Sequence, residues 1–220
     1  MKKVYKVLFF TFIFLFFIFV SNVDANSISS INMNIYVDNN GDAHVTEVWD
    51  CNVTQGTECY HPYYNLGNSK IINLSVSEGN KVYDHLGSLE TNKSFSDGNT
   101  TYTFHNNYYS YCNTNASFAD KAYKCGINKI SNGVELCWGI SKYGSHTYTV
   151  NYTITNFVSS LTDSQMIYWT LIPYDFSNPI GNVYIKIYSD FDYDFETPVW
   201  GYGNYGGTCY VYDGYIEVRI

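Results

Sequence analysis

The chain has 220 residues and a formal net charge of −8, with 15% charged and 19% aromatic side chains. Residues 1–25 contain three of the twelve basic and one of the twenty acidic side chains, so the remainder has nine against nineteen and a net charge of −10. This balance excludes a nucleic-acid binder, which needs a basic face, and an anionic membrane surface would repel the domain. The length suits one domain with a sizeable core.

The N-terminus has the layout of a secretory signal peptide. Three lysines within the first six residues precede an uncharged apolar run over residues 7–20, and Val23 and Ala25 occupy the −3 and −1 positions of a cleavage site. A bilayer-spanning helix needs about 20 apolar residues, and this run is shorter. We expect cleavage after Ala25 and one extracytoplasmic domain over 26–220, with an uncleaved anchor as the alternative.

A β-hairpin is predicted from residue 31 to residue 49. Residues 31–37 and 43–49 each alternate between apolar and polar side chains, and a turn sequence separates them. A two-residue turn would set Ile35 opposite a threonine, whereas a three-residue loop with Gly41 as the bulge sets Ile35 opposite Val45. We choose the second register because it keeps apolar residues together.

The chosen register places one carboxylate on the apolar face. Glu47 points to the same side as Val45 and lies opposite Met33. A carboxylate in such surroundings needs a hydrogen-bonding partner or a raised pKa.

The middle of the chain contains weak structural signals. Residues 52–70 are predicted to be a loop because they contain glycine, proline and several asparagines. Residues 71–76 and 101–104 are predicted to be short strands.

One short helix is predicted over residues 117–125. Ser117 is its N-cap, Asp120 completes a capping box, and Gly126 stops the helix.

The last part of the chain alternates again. Residues 147–155 form the clearest strand, because β-branched and aromatic residues alternate between two faces. Further strands are predicted over residues 166–172 and 183–188, and a hairpin over residues 210–220. Eight or more short strands with one small helix predict a β-sandwich.

The sequence resembles the N-terminal extracytoplasmic domain of a family of predicted bacterial membrane proteins of unknown function, DUF2207. The resemblance rests on five short motifs, in order Asp38-x-x-Gly41-x-x-x-Val45-Thr46-Glu47, Ala116-Ser117-Phe118-x-x-Lys121, Leu136-Cys137-Trp138-Gly139, Tyr148-x-Val150-x-Tyr152 and Tyr168-Trp169. Their order and spacing cover most of the chain after the leader.

The resemblance implies a signal peptide, an extracytoplasmic β-rich domain and then transmembrane helices, with a structural or binding role. It implies no catalytic residues. Many members carry Gly-x-x-Arg soon after the strand with the glutamate, whereas residues 56–62 here contain no arginine, so Glu47 inherits no arginine partner. The membrane helices are also missing, so tethering requires a segment not present in this chain or an uncleaved signal.

Six cysteines lie after the leader, and an even count in an oxidising compartment predicts three disulfides. They are Cys51, Cys59, Cys112, Cys125, Cys137 and Cys209. Among fifteen pairings we favour the two local pairs 51–59 and 112–125, which leaves 137–209. Zinc is disfavoured because no Cys-x-x-Cys or paired histidines occur, and the histidines at 44, 61, 85, 105 and 146 are predicted to be surface or turn residues.

Six asparagines begin glycosylation sequons, which are used only if the source is eukaryotic. They are Asn52, Asn73, Asn92, Asn99, Asn115 and Asn151. An Asn- and Thr-rich bacterial sequence explains them equally, and the family resemblance favours that explanation.

Four acidic residues alternate with aromatic residues near the end of the chain. They are Asp190, Asp192, Asp194 and Glu196. On one extended face their oxygens could bind Ca²⁺, and the alternative is the solvated face of a strand.

The sequence therefore predicts a secreted or cell-surface β-sandwich with a structural or partner-binding role, no catalysis and no obligatory cofactor. The partner is a protein or a cell-surface polysaccharide. A carbohydrate-binding module is the first alternative, motivated by Tyr143, Tyr202 and Tyr205 beside polar residues. A carboxylate-based hydrolase using Glu47 is the second.

Overall fold

The structure is a computed structural model that describes residues 26–86, 94–97, 100–103, 118–174, 176, 178–194, 196–202 and 206–220. The predicted signal peptide lies outside these residues. The elements in chain order are β1 (Ser27–Val37), β2 (Ala43–Val53), β3 (Glu58–Tyr64), β4 (Ile71–Glu78), β5 (Lys81–Val82), β6 (Asp84–His85), β7 (Ser94–Asp97), β8 (Thr100–Thr103), α1 (Phe118–Lys121), β9 (Lys124–Ile130), β10 (Gly133–Gly139), β11 (Gly144–Ile154), β12 (Val158–Ser160), β13 (Gln165–Ile167), β14 (Ile180–Ser189), β15 (Thr208–Tyr212) and β16 (Tyr215–Arg219).

Eight strands form one sheet in the order β15-β16-β14-β1-β2-β11-β4-β5. Strand β1 pairs antiparallel with β2 and parallel with β14. Strand β11 contains the clearest predicted strand and lies between β2 and β4. Its Tyr148 and Val150 are fully buried, because alternate residues of a strand point to opposite faces of the sheet.

The predicted hairpin register is confirmed. Ile35 pairs with Val45, and Met33 pairs with Glu47. Gly41 has a φ of 80°, a left-handed conformation that glycine adopts without a steric penalty, and its N–H donates to the Asp38 carbonyl at 3.0 Å.

A second sheet, in the order β3-β10-β9-β6, packs on the first. Trp49 of β2 contacts Trp138 of β10 edge to face, with ring centroids 5.2 Å apart, and both rings are almost completely buried. Tyr63 of β3 and Tyr152 of β11 meet in the same way at 5.8 Å. Aromatic contacts between two sheets form the core of a sandwich, so the predicted mainly β, sandwich-like fold is confirmed.

The prediction of a loop over residues 52–70 is wrong in part. Residues 58–64 form β3, and Pro62 lies within it. Proline is tolerated there because β3 is an edge strand of its sheet, where an N–H is not needed on the open side. The predicted strand over residues 166–172 is also shortened, since β13 ends at Ile167.

The predicted helix over residues 117–125 is confirmed in place but spans only residues 118–121. Cys125 and Gly126 belong to β9, whose pairing with β10 takes over the backbone hydrogen bonds that further helical turns would use. None of the helices among the described residues has the length and apolar character that a bilayer crossing requires.

Candidate functional site

The most concentrated polar group in the core surrounds Glu47, which is 0% exposed. Its carboxylate accepts hydrogen bonds from Trp49 Nε1 at 2.5 Å, from the Tyr152 hydroxyl and from His61 Nδ1 at 3.0 Å. The Tyr63 hydroxyl lies 2.5 Å from the Tyr152 hydroxyl and extends the network. The partner that the buried carboxylate was predicted to need is therefore present.

His61 of β3 is the basic partner of Glu47 in this group. Its Nδ1 faces Glu47, and its Nε2 lies 3.0 Å from the Leu171 carbonyl oxygen. A carboxylate and a carbonyl both accept hydrogen bonds, so each ring nitrogen of His61 faces an acceptor. His61 lies within residues 56–62, the segment in which many family members carry an arginine and this chain has none. His61 therefore takes the place of that arginine as the partner of Glu47.

Burial alone would raise the pKa of the Glu47 carboxyl. The charge of His61 and the hydrogen bonds from His61, Tyr152 and Trp49 outweigh burial, and the pKa is lowered. Glu47 and His61 both have side chains without solvent contact. This group, which we call the sealed cluster (Glu47, Trp49, His61, Tyr63 and Tyr152), links three strands of two sheets.

A second group of aromatic side chains lies on the opposite, outer face of the large sheet. We call it the tyrosine face, and it consists of Tyr36, Tyr184, Tyr188, Tyr210, Tyr212 and Tyr215. These residues alternate with buried ones such as Val183, Ile185 and Ile216, so the same period of two that builds the core also sets the rings on one outer surface.

Glu217 lies in the middle of the tyrosine face. Its carboxylate accepts hydrogen bonds from Arg219 Nε at 2.6 Å and from the hydroxyls of Tyr210 at 2.6 Å, Tyr184 at 3.0 Å and Tyr215 at 3.3 Å. The hydrogen bond from Arg219 has the largest effect on the carboxyl, and together these donors lower the pKa of Glu217 to about 2. The rings that donate also cover Glu217, which is 1% exposed.

Two basic side chains of the tyrosine face, Lys186 and Arg219, pack against its aromatic rings. The Lys186 Nζ lies 3.9 Å from the centroid of the Tyr215 ring, and the Arg219 guanidinium lies 5.4 Å from that of Tyr184. Tyr36 and Tyr188 contact each other with centroids 5.6 Å apart, which continues the aromatic surface across β1. Tyr212 is the most open ring, at 56% exposed.

No disulfide joins any two of the described cysteines, which are Cys51, Cys59, Cys125, Cys137 and Cys209. The predicted bond 51–59 is therefore not formed, and the predicted pair 112–125 is not tested because Cys112 lies outside the described residues. The local pair is nonetheless brought together, because the Cys51 and Cys59 thiols hydrogen-bond to each other.

The predicted pair 137–209 is separated by the fold. Cys137 is buried in β10 of the small sheet, whereas Cys209 lies on β15 at the far edge of the large sheet. A disulfide requires Cα atoms within about 7 Å, and strands are about 4.8 Å apart, so this position excludes the bond.

A pocket of about 50 Å³ lies beside the paired thiols. Its lining includes Trp49, Cys51, Cys59 and Phe176. Drug-sized ligands occupy pockets of about 300–1,000 Å³, so this pocket suits water molecules rather than an organic ligand.

The predicted row of acids is not an extended face. Strand β14 ends at Ser189, before the first acid. Asp190 accepts a hydrogen bond from the Tyr36 hydroxyl at 2.9 Å, whereas Asp194 accepts one from the Glu196 backbone N–H at 2.9 Å. Across the described ranges, no three His, Cys, Asp or Glu side chains are placed to hold a metal ion.

The six sequons have different surroundings. Asn73 is exposed with a φ of 59°, Asn52 is half-buried on β2, and the Asn151 amide oxygen accepts a hydrogen bond from Thr46 at 2.7 Å. Asn92, Asn99 and Asn115 lie outside the described residues.

Of the aromatic residues predicted to bind sugar, Tyr143 and Tyr202 are exposed in separate loops and Tyr205 lies outside the described residues.

Two histidines predicted to be at the surface are core residues. His61 is 0% exposed, and His146 is 4% exposed with its Nδ1 2.7 Å from Glu78. The only indication in the sequence that a residue such as His61 lies in the core was the need of buried Glu47 for a hydrogen-bonding partner. The tyrosine face was also missed, because its rings come from strands that are far apart in the sequence, although residues 183–188 already alternate.

The family model described as the N-terminal domain of a predicted membrane protein, DUF2207, matches residues 27–213. No curated protein matches the sequence. Yeast LTA4 hydrolase in complex with bestatin aligns with 91% of this chain and 27% of its own, at 10% identity and a TM-score of 0.44. A Legionella pneumophila protein provisionally described as nutrient binding aligns with 90% of this chain and 62% of its own, at 10% identity and a TM-score of 0.41. The chain spans less than two thirds of either structure.

Proposed function

This chain belongs to the DUF2207 family of predicted membrane proteins, and we propose that it is a non-catalytic, partner-binding domain that is secreted or held at the extracytoplasmic face of the membrane. One contrast supports this proposal. The acid–base pair of Glu47 and His61 has no solvent contact, whereas six tyrosines line the outer face of the large sheet. The partner is a protein or a cell-surface polysaccharide, and binding requires no cofactor.

The burial of Glu47 and His61 supports a non-catalytic role, because a substrate cannot reach either side chain. A general acid or base must reach the substrate within hydrogen-bonding distance, directly or through one water. Both nitrogens of His61 and the carboxylate of Glu47 are already engaged inside the core. Glycoside hydrolysis by two carboxylates also needs a second acid, and the groups that hydrogen-bond to Glu47 are a histidine, a tyrosine and a tryptophan.

The extracytoplasmic location is supported by the layout of residues 1–25, and the family description supports an association with the membrane. N-terminal sequencing of the protein recovered from its native cells tests it. We expect the sequence to begin at Asn26. Recovery of an unprocessed chain from the cytoplasm would contradict the proposed location.

Cosedimentation of the purified protein with isolated cell envelopes tests the binding role. We expect saturable binding that falls when Tyr188→Ala and Tyr212→Ala are combined, because both rings belong to the tyrosine face. Tyr168→Ala with Tyr174→Ala is the matched control, since these rings are 79% and 87% exposed but lie elsewhere. Unsaturable binding, or release of reducing sugar that Glu47→Gln abolishes, would refute a non-catalytic binding domain.

A further inference from the structure

Resting on the proposed binding role, we propose that the tyrosine face binds an uncharged polysaccharide, whose sugar rings lie on the aromatic rings of β14, β16 and β15. The side chains of the neighbouring part of the sheet, chiefly amides and hydroxyls, then contact the sugar hydroxyls.

Strand register repeats the aromatic rings across the sheet. Tyr36 lies opposite Tyr188 across the pair β1–β14, and Tyr212 lies opposite Tyr215 across the pair β15–β16. Neighbouring strands are about 4.8 Å apart, so rings recur over four strands of an open surface. A repeated row of rings suits a polymer of repeated sugar rings, whereas the small pocket beside Cys51 admits no such ligand.

The rings are held in place before any ligand arrives. The hydroxyls of Tyr184, Tyr210 and Tyr215 all donate to Glu217, and Lys186 rests on the Tyr215 ring. Ordering a flexible side chain on binding costs conformational entropy, and rings that are already ordered avoid this cost. Tyrosine also offers a large apolar surface with a polar end, which matches the mixed surface of a sugar.

The charges of the surface favour an uncharged ligand. Arg219 is paired with Glu217 at 2.6 Å, and Lys186 contacts the rings of Tyr188 and Tyr215. The chain as a whole has a net charge of −8, which repels an anionic polymer.

The strands beside the rings present uncharged polar side chains. Asn34 is exposed and lies opposite Lys186 on one side and Thr46 on the other, and Asn32 lies opposite Tyr184. Amides both donate and accept hydrogen bonds, as the hydroxyls of a neutral sugar require.

Affinity electrophoresis of the purified full chain tests the proposal. Native gels contain amylose, mannan or xylan as uncharged probes and hyaluronate as an anionic probe. We expect retardation by at least one uncharged polymer and none by hyaluronate. Combining Tyr188→Ala with Tyr212→Ala should weaken retardation by about tenfold or more. Stacking of one base on one aromatic side chain contributes about this factor when proteins bind single-stranded nucleic acids.

Two control variants sharpen the result. Tyr168→Ala with Tyr174→Ala removes exposed rings elsewhere and should leave the affinity within about twofold, while Tyr212→Phe keeps the ring and should retain binding. Far-ultraviolet circular dichroism verifies that each variant is folded. Equal retardation of all variants, or retardation by hyaluronate alone, would overturn the proposal.

A photo-crosslinking residue at position 212, introduced into the protein in its native cells, separates this proposal from the broader one. If no uncharged polymer retards the protein but position 212 crosslinks to a protein, the polysaccharide proposal fails and the binding role stands. If neither binding nor crosslinking occurs, both fail.

Discussion

Two carboxylates of this domain have similar chemical neighbours and opposite positions. Glu47 and Glu217 each accept hydrogen bonds from tyrosine and from one basic side chain, His61 or Arg219. The His61 side chain is 0% exposed, whereas that of Arg219 is 62% exposed. Similar groups therefore join two sheets in one place and order the rings of an outer face in the other.

The largest expected effect is on the sealed cluster. His61→Leu removes the basic partner and leaves the Glu47 carboxylate buried, so we expect the free energy of unfolding to fall by about 3–5 kcal/mol in urea denaturation. Adding Glu47→Leu to His61→Leu should recover part of the loss, because no unpaired charge then stays buried. A loss below about 1 kcal/mol for His61→Leu would mean that the pair does not hold the sheets together.

The next largest loss of stability is expected at one of two glycines that each lie close to a backbone carbonyl oxygen. A Cβ on Gly133 would lie 1.9 Å from the Tyr63 oxygen inside the small sheet, and one on Gly207 would lie 2.4 Å from the Arg219 oxygen at the edge of the large sheet. We expect Gly133→Ala to destabilise by about 1–3 kcal/mol or more, since β3 and β10 must separate.

Gly207→Ala serves as the control for this comparison and should cost less, because β15 is an edge strand that can shift. Thermal unfolding of both variants measures the difference. An equal shift in Tm would contradict the idea that the sealed side is the more rigid one.

Both carboxylates should contribute to the loss of stability at acid pH. The pKa of Glu47 is lowered in the folded protein, so its contribution is full above the unfolded value near 4.5 and is lost as the pH falls below it. Glu47→Gln should remove its part of the slope, at most about 1.4 kcal/mol per pH unit. Because the folded pKa of Glu217 is about 2, its contribution is likewise lost below pH 4.5, down to about pH 2. Urea denaturation from pH 7 to pH 2 measures both, and an unchanged slope for Glu47→Gln would contradict a lowered pKa.

The smallest expected effect on stability is at the tyrosine face. Tyr212 is 56% exposed, so Tyr212→Ala should change the free energy of unfolding by less than about 0.5 kcal/mol while it weakens binding. Urea denaturation beside the affinity gels measures both quantities. A loss of stability as large as that for His61→Leu would show that the face is structural.

The sequence predicts what alternation determines locally. The hairpin register and the inward position of Glu47 follow from the apolar pattern of residues 31–49, and both are confirmed. His61 could not be placed, because residues 58–64 do not alternate and contain Pro62, which normally argues against a strand. Only the pairing with β10 makes this segment a strand.

The tyrosine face depends on pairings that no local pattern encodes. Residues 183–188 and 215–219 each place aromatic and charged side chains on one side, but the order of β15, β16, β14 and β1 decides that these sides coincide. The prediction of disulfides also depended on distant geometry, since counting cysteines does not reveal that the sheets keep Cys137 and Cys209 apart.

The parallel pairing of β1 with β14 has a consequence for how the protein folds. Ile28 pairs with Ile180, so one side of the first strand has no partner until most of the chain has been synthesised. Contacts between residues so distant in sequence slow folding, and an open strand edge invites pairing with other chains. A newly made chain must therefore be protected along β1 until β14 arrives, and folding chaperones that shield strand edges are expected to raise the yield of native protein.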